Sequence, residues 1–230
     1  MSRMVSAIIV AAGKGTRMGP NVDKLFLDLA GRPVVAHTWR RFAEAADVEE
    51  IILVVRDGMQ GAFNDLAAQY KLKKTFRMVP GGLERQDSVW NGLQALAADS
   101  KIVAIQDGAR PCTSAATIAA TIAAAREFGA AVAAHPVADT LKETADGAFI
   151  NRTVDRSRLW AVQTPQAFRV EVIRRALTVV RENGLRVTDD TAACELINQP
   201  VKLVQDAGPN PKVTIPGDLP FLEWLLKTGV

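Results

Sequence analysis

Short apolar runs and amphipathic stretches alternate along most of the chain. Residues 5–12 form a near-continuous apolar run rich in Val and Ile, which predicts a fully buried strand. Residues 34–46 follow with Val35, Trp39, Phe42 and Ala46 at helical spacing, after a turn at Gly31-Arg32-Pro33. The alternation repeats: strands at 51–55, 75–79, 101–106 and 130–135, with helices at 60–70, 89–98 and 114–128 between them. Val89, Leu93 and Leu96 share one face of the third helix, and Ile118, Ile122 and Ala125 one face of the fourth. Strands and helices alternating at this spacing predict a parallel sheet with right-handed crossovers.

The rhythm breaks after Pro136. Residues 136–158 carry few apolar positions and read as an extended hairpin with Asp146-Gly147 at its turn. Such an excursion either covers a site, pairs with another subunit, or is a plain surface hairpin. The remaining chain predicts a strand at 159–164 with a turn at Pro165-Gln166 and a helix at 170–182. A helix at 191–198 is capped by Thr188-Asp189-Asp190, and strands are predicted at 201–205 and 212–215. Pro216 opens a last helix that runs to about Lys227, with Asp218 in its first turn. With no repeat, low-complexity tract or linker, the 230 residues read as one domain with an arm.

Composition narrows the function classes. Hydrophobic content of 48% excludes a disordered chain. A net charge of +3 without a Lys/Arg block gives no reason to expect nucleic acid as a partner. Cys112 and Cys194 are the only cysteines and lack close spacing, so neither a zinc site nor a disulfide framework is expected, and His37 and His135 stand alone. No apolar run approaches the length of a membrane span, and no signal pattern precedes the first strand, so the expectation is a soluble, cytoplasmic protein with no membrane partner.

Candidate chemistry gathers at predicted strand ends, the edge where open α/β sheets bind ligands. The first strand runs into Gly13-Lys14-Gly15, with Arg17 and Lys24 close behind. Backbone N–H groups in such a loop, with cations beside them, suit a polyphosphate. The dinucleotide fingerprint fails, because its third glycine position is Met18; no Walker A loop is present. Gly81-Gly82 and Asp107-Gly108-Ala109-Arg110-Pro111 end two further strands at the same edge.

The segment 11–18, with Lys24, Gly81-Gly82, Arg85, Ser88 and the Asp107–Pro111 motif, resembles the nucleotidyltransferases that activate sugar phosphates. The later pieces, Asp139-Thr140-x-Lys142, Thr153-Val154-Asp155-Arg156, Gln163-Thr164-Pro165-Gln166, Thr188-Asp189 and the stretch from Asn210 through Lys212 to Leu219, resemble the 2-C-methyl-D-erythritol 4-phosphate cytidylyltransferase family. The resemblance implies an α/β fold, a Rossmann-like three-layer sandwich with a mostly parallel central sheet and a protruding β-arm. It implies transfer of a cytidylyl group from CTP to a small polyol phosphate, with Mg²⁺, in isoprenoid synthesis. Attack on the α-phosphorus is direct, which agrees with the lack of any Ser-His-Asp or Cys-His arrangement.

By the same resemblance Ala11, Ala12, Gly13 and Gly15 approach the nucleotide, with Ala109 beside it. Arg17, Lys24 and Lys212 are the catalytic cations. Gly82, Arg85 and Ser88 surround the cytosine and ribose, and Asp107 is the metal ligand. Thr140, Arg156, Thr164, Thr188 and Asp189 hold the polyol phosphate, Thr140 and Arg156 reaching over from the partner arm of a homodimer. Several positions depart from the family pattern: Val22-Asp23 before Lys24, Gln106 before Asp107, Asp190 after Asp189, and Pro209 and Pro211 around Asn210. Ribitol 5-phosphate cytidylyltransferase, with the same fold and most of the same motifs, is the nearest alternative. A non-catalytic nucleotide-binding protein is the alternative from another class.

Overall fold

The computed structural model describes residues 4–13, 15, 22–206 and 208–229. Its first strand, β1 (Val5–Ala11), is buried along almost its whole length, as its apolar run requires. It lies between two parallel neighbours, β4 (Glu50–Val55) and β6 (Ile102–Asp107). β5 (Phe76–Pro80) extends the sheet on one side. On the other, β10 (Trp160–Arg169) inserts antiparallel between β6 and β7 (Ala130–Pro136), and β11 (Lys202–Gln205) adds a parallel edge. Among the described residues these seven strands form one sheet, in the order β11-β7-β10-β6-β1-β4-β5.

Helices cover both faces. α1 (Val34–Glu44), α2 (Gln60–Gln69), α4 (Ala115–Phe128) and α7 (Leu219–Thr228) contribute Trp39, Phe42, Phe63, Ile118, Ile122 and Leu222 to one core. α3 (Arg85–Gln94), α5 (Val170–Glu182) and α6 (Asp190–Glu195) contribute Val89, Leu93, Ile173, Leu177, Val180 and Cys194 to the other. Each fully buried large aliphatic or aromatic side chain contributes about 1.5–3 kcal/mol. This is the expected three-layer α/β sandwich. Among the described residues no helix is long and apolar enough to cross a membrane.

Four local expectations are corrected. The turn at Gly31-Arg32-Pro33 belongs to a small hairpin, β2 (Asp28–Leu29) with β3 (Arg32–Pro33), turning through positive φ at Ala30 and Gly31. The predicted strand 159–164 does not stop at Pro165; it continues to Arg169, with an irregularity in its pairing between Val162 and Gln166. The helix predicted from residue 89 starts at Arg85, because Glu84 and Asp87 form a reciprocal capping box there. Residues 212–215 are not a strand: Val213 N–H makes one bond to the Ala109 carbonyl, 2.9 Å, and no ladder follows.

The arm is present as β8 (Lys142–Glu143) paired antiparallel with β9 (Arg152–Thr153). Asp146 closes its tip by accepting bonds from Ala148 N–H, 2.8 Å, and Phe149 N–H, 3.1 Å.

Candidate functional site: a cationic cleft at the strand ends

Three loops close against one another where β1, β5 and β6 end. Gly81 N–H donates to the Val55 carbonyl, 2.8 Å, and a Cβ at Gly81 would lie 2.2 Å from Ala12 Cβ. Only glycine lets the first and second loops approach this closely. Gly82 N–H donates to Ser88 Oγ, 3.0 Å, so the first turn of α3 fixes the glycine loop. Gly108 N–H donates to the Val10 carbonyl, 2.9 Å, and the Gly108 carbonyl accepts from Thr38 Oγ1 on α1, 2.9 Å.

The loops enclose a cleft of about 430 Å³ lined by Ala12, Gly13, Lys24, Gly82, Arg85, Ser88, Asp107, Ala109 and Lys212, among others. Lys24 is 9% exposed, and its Nζ donates to the Val213 carbonyl, 2.9 Å. Gly15, at φ +65°, lies over its stem: a Cβ there would be 3.0 Å from Lys24 Cγ. Asp23 prepares the turn that carries Lys24. Its carboxylate pairs with Arg56 and accepts from Leu25 N–H at 3.2 Å. The unusual Asp23 thus ties the lysine's loop to the end of β4.

Asp107 stands at the end of β6, its N–H donating to Thr164 Oγ1, 3.1 Å. Its carboxylate accepts from Lys212 Nζ, 2.6 Å, and from Arg85 Nε, 3.2 Å. Burial alone would raise its pKa; the Arg85 and Lys212 charges outweigh burial and hold the carboxyl well below the usual range. Arg85 also donates through Nη1 to Asp190 Oδ2, 2.8 Å. Burial acts to lower the Arg85 pKa, but Asp190 and Asp107 outweigh it and hold the guanidinium above its ordinary value. Burial also pushes the Asp190 carboxyl upward, with Arg85 acting against it.

A buried polar lattice seats Lys212. Asn210 Nδ2 donates to the Thr164 carbonyl, 2.8 Å, and Asn210 Oδ1 accepts from Thr113 Oγ1, 2.9 Å. Thr113 Oγ1 in turn accepts from Gln106 Nε2, 2.9 Å, and Arg110 Nη1 donates to the Asn210 carbonyl, 2.6 Å. Two of the departures from the family pattern therefore serve one structural unit. Gln106 reaches the lattice through Thr113, and Pro209 and Pro211 flank the buried Asn210 without adding N–H groups that would need partners.

Most of the sequence-predicted residues converge on this cleft. Ala11 ends β1 just behind it. Arg17 lies outside the described residues. Thr164 is buried behind Asp107, and its hydroxyl is engaged with the Asp107 backbone. Asp189 caps α6: Oδ1 accepts from Ala192 N–H, 3.0 Å, and Oδ2 from Gln166 Nε2, 2.8 Å. Thr188 is exposed beside it. Thr140 and Arg156 are exposed on the arm, where Arg156 donates to the Ala138 carbonyl, and neither lines the cleft. A second cleft of about 590 Å³ shares Lys212 and adds Arg110, His135 and Gln163. Sequence reasoning missed Asp190 as a partner of Arg85, since the two lie 105 positions apart. It also left Arg110 out of the site, although the Asp107–Pro111 motif contains it.

Metal-binding capacity rests on few groups. Among the described residues no three or more His, Cys, Asp or Glu side chains are grouped to hold an ion. A Mg²⁺ that takes one or two protein carboxylates and completes its shell with phosphate and water oxygens matches such a sparse donor set; a caged Ca²⁺ or Zn²⁺ does not.

An open α/β sheet that gathers lysines, an arginine and one charged aspartate around glycine loops at its strand ends has the form of a nucleotidyltransferase. The 2-C-methyl-D-erythritol 4-phosphate cytidylyltransferase family model matches residues 5–228. A 2-C-methyl-D-erythritol 4-phosphate cytidylyltransferase of Pelotomaculum thermopropionicum is 43% identical over 97% of this chain and 94% of its own length. The protein of that name from Geobacillus kaustophilus is 43% identical over 96% of each chain. The 4-diphosphocytidyl-2C-methyl-D-erythritol synthase structure from Anaerococcus prevotii superposes with a TM-score of 0.86 at 30% identity, covering 99% of this chain and 100% of the other. The chain belongs to the 2-C-methyl-D-erythritol 4-phosphate cytidylyltransferase family and is a nucleotidyltransferase.

Proposed function

We propose that the cleft takes CTP and that the phosphate of 2-C-methyl-D-erythritol 4-phosphate attacks its α-phosphorus in line, releasing pyrophosphate. One observation carries the assignment of catalytic cations. Lys24 Nζ rests on the carbonyl of Val213, the residue next to Lys212, whose own Nζ rests on Asp107. Two lysines 188 positions apart in sequence are thus brought to one cleft, one held by the backbone beside the other. Charge grows on the α-phosphate oxygens in the transition state, and fixed cations in a partly dry cleft stabilise it without reorganising. Lys24 and Lys212 would supply that charge, with Arg17 of the same sequence motif adding to it. The glycine loops would let backbone N–H groups approach the triphosphate and base.

Asp107 would hold Mg²⁺, which when bound neutralises phosphate charge. The polyol phosphate would occupy the second cleft, where Lys212 and Arg110 already stand together. The arm would lie over the cleft of a second copy, so that Thr140 and Arg156 complete that copy's polyol site. Exposure of both residues on a hairpin away from their own cleft favours this arrangement.

The test is pyrophosphate release from CTP with 2-C-methyl-D-erythritol 4-phosphate and, separately, with ribitol 5-phosphate. Turnover is expected with the first. Turnover with ribitol 5-phosphate alone would overturn the substrate assignment.

A further inference from the structure

Four charged groups form an unbroken chain through the cleft wall. Asp190 Oδ2 accepts from Arg85 Nη1 at 2.8 Å, Asp107 Oδ1 from Arg85 Nε at 3.2 Å, and Asp107 Oδ2 from Lys212 Nζ at 2.6 Å. The two carboxylates are not equivalent. Asp107 lines the cleft and is shared by two cations. Asp190 is 1% exposed, and its N–H donates to Gln166 Oε1, 3.1 Å, at the start of α6. Gln166 belongs to β10 and also holds the Asp189 cap. Asp190 is therefore set in the frame, behind Arg85, with no route to a ligand.

A carboxylate already shared by two cations serves an incoming one better when part of that hold is released, since its charge is then less divided. Lys212 has a destination in the substrate phosphates. Arg85 needs a counter-charge that stays when Asp107 turns away, because a guanidinium losing its only partner in a low-dielectric wall is costly. Were Asp107 its only partner, Arg85 would pull on it at the moment it is needed elsewhere.

We propose that Asp190 is a positioning residue: it holds Arg85 in place so that Asp107 is released to the cation of the nucleotide complex. This rests on the assignment of the cleft to CTP. Asp190 acts through Arg85 and touches no substrate.

The test is a double-mutant cycle read by binding, not turnover. CTP·Mn²⁺ affinity is measured by electron paramagnetic resonance, without polyol phosphate, for the wild type, Asp190→Asn, Arg85→Gln and the double variant. Asp190→Asn is expected to weaken CTP·Mn²⁺ by roughly 10–100-fold, the usual effect of losing a group that orients a metal ligand. In the Arg85→Gln background the same change is expected to have no further effect. Thermal midpoints are recorded for all four. If Asp190→Asn lowers the midpoint in both backgrounds and leaves CTP·Mn²⁺ affinity unchanged, Asp190 is only structural and the proposal fails. Should Asp190→Asn alone not fold, Arg85→Gln and the double variant, which leaves no unpaired charge between these two positions, still decide it. A further loss of affinity on removing Asp190 without Arg85 overturns the proposal. If the wild type binds another nucleoside triphosphate in place of CTP, the base assignment fails and the cycle is run with that nucleotide.

Discussion

The cleft loops and the arm are held in opposite ways. Around the cleft, backbone and side-chain groups from distant parts of the chain meet in close, buried or half-buried contacts: Gly81 against Ala12, Asp107 N–H on Thr164, Asn210 among Thr113, Thr164 and Arg110. In the arm the contacts are local. Two strands of two residues pair, Arg152 meets Glu143 at 2.6 Å with both largely in solvent, and Lys142 Nζ donates to Thr153 Oγ1 at 2.6 Å. Exposed pairs of this kind contribute about 0–1 kcal/mol. Phe149 and Ile150 at the tip are 77% and 65% exposed. A single protomer thus preorganises its own cleft, whereas its arm gains little from its own core. In the proposed arrangement the polyol side of the reaction is the part that depends on a second copy.

The comparison breaks hardest at the cleft cations. Lys24→Ala is expected to lower kcat by about 10²–10³-fold, the loss typical of a fixed electrostatic stabiliser. Steady-state kinetics at saturating CTP measures it, and near-normal turnover would remove Lys24 from the transition state. Next in size is Gly81→Ala. The new Cβ would meet Ala12 Cβ at 2.2 Å, and neither atom can swing aside. Overpacking of this kind costs about 1–3 kcal/mol. The urea midpoint should fall and the KM for CTP rise together, since Ala12 lines the cleft. Gly61→Ala on α2 is the control: a Cβ there would meet nothing within 4 Å, so stability should stay level or rise. Equal losses at both glycines would mean that the cleft loops are no more tightly set than a surface helix.

What could be read in advance follows the same division. Periodicity located the main helices and the buried strands, because burial in the sheet imposes it directly. It missed the continuation of β10 to Arg169, since Pro165 reads as a stop and only pairing with β6 and β7 carries the strand through. It made a strand of residues 212–215, where apolar Val213 is buried yet bonded once to Ala109. The motif residues Lys24, Asp107 and Lys212 were legible as chemistry. Their mutual contacts were not, because nothing local in sequence couples residues 105 to 189 positions apart. Asp190 illustrates the point: in sequence it caps a helix, and only the fold turns it toward Arg85. Asp23 shows the reverse case, a residue that looked like a departure and proved to hold the lysine's turn through Arg56.

Arg156→Ala tests the arm at the level of substrate. A charge-assisted hydrogen bond contributes about 1.5–3 kcal/mol, so the KM for 2-C-methyl-D-erythritol 4-phosphate should rise roughly tenfold or more. The KM for CTP should change much less, because Arg156 does not line the cleft proposed for CTP in its own chain. Equal shifts in both constants would count against the arm as a polyol-binding element.

The smallest expected effect on the protomer, and the sharpest on the comparison, comes from Phe149→Ser with Ile150→Ser. Both side chains are mostly in solvent, so their loss should change the folding free energy of an isolated protomer by no more than about 0.5 kcal/mol. If the arm packs on a second copy, those two residues are buried there and the double variant shifts the population toward monomer. Sedimentation over a concentration series reads the assembly, and urea unfolding at the dilute end reads the protomer; keeping the two apart matters because association itself raises apparent stability. A dimer that survives the double variant would place the tip outside any interface. A protomer that loses several kcal/mol while its mass is unchanged would mean that the arm is held by its own domain after all, and the contrast with the cleft would disappear.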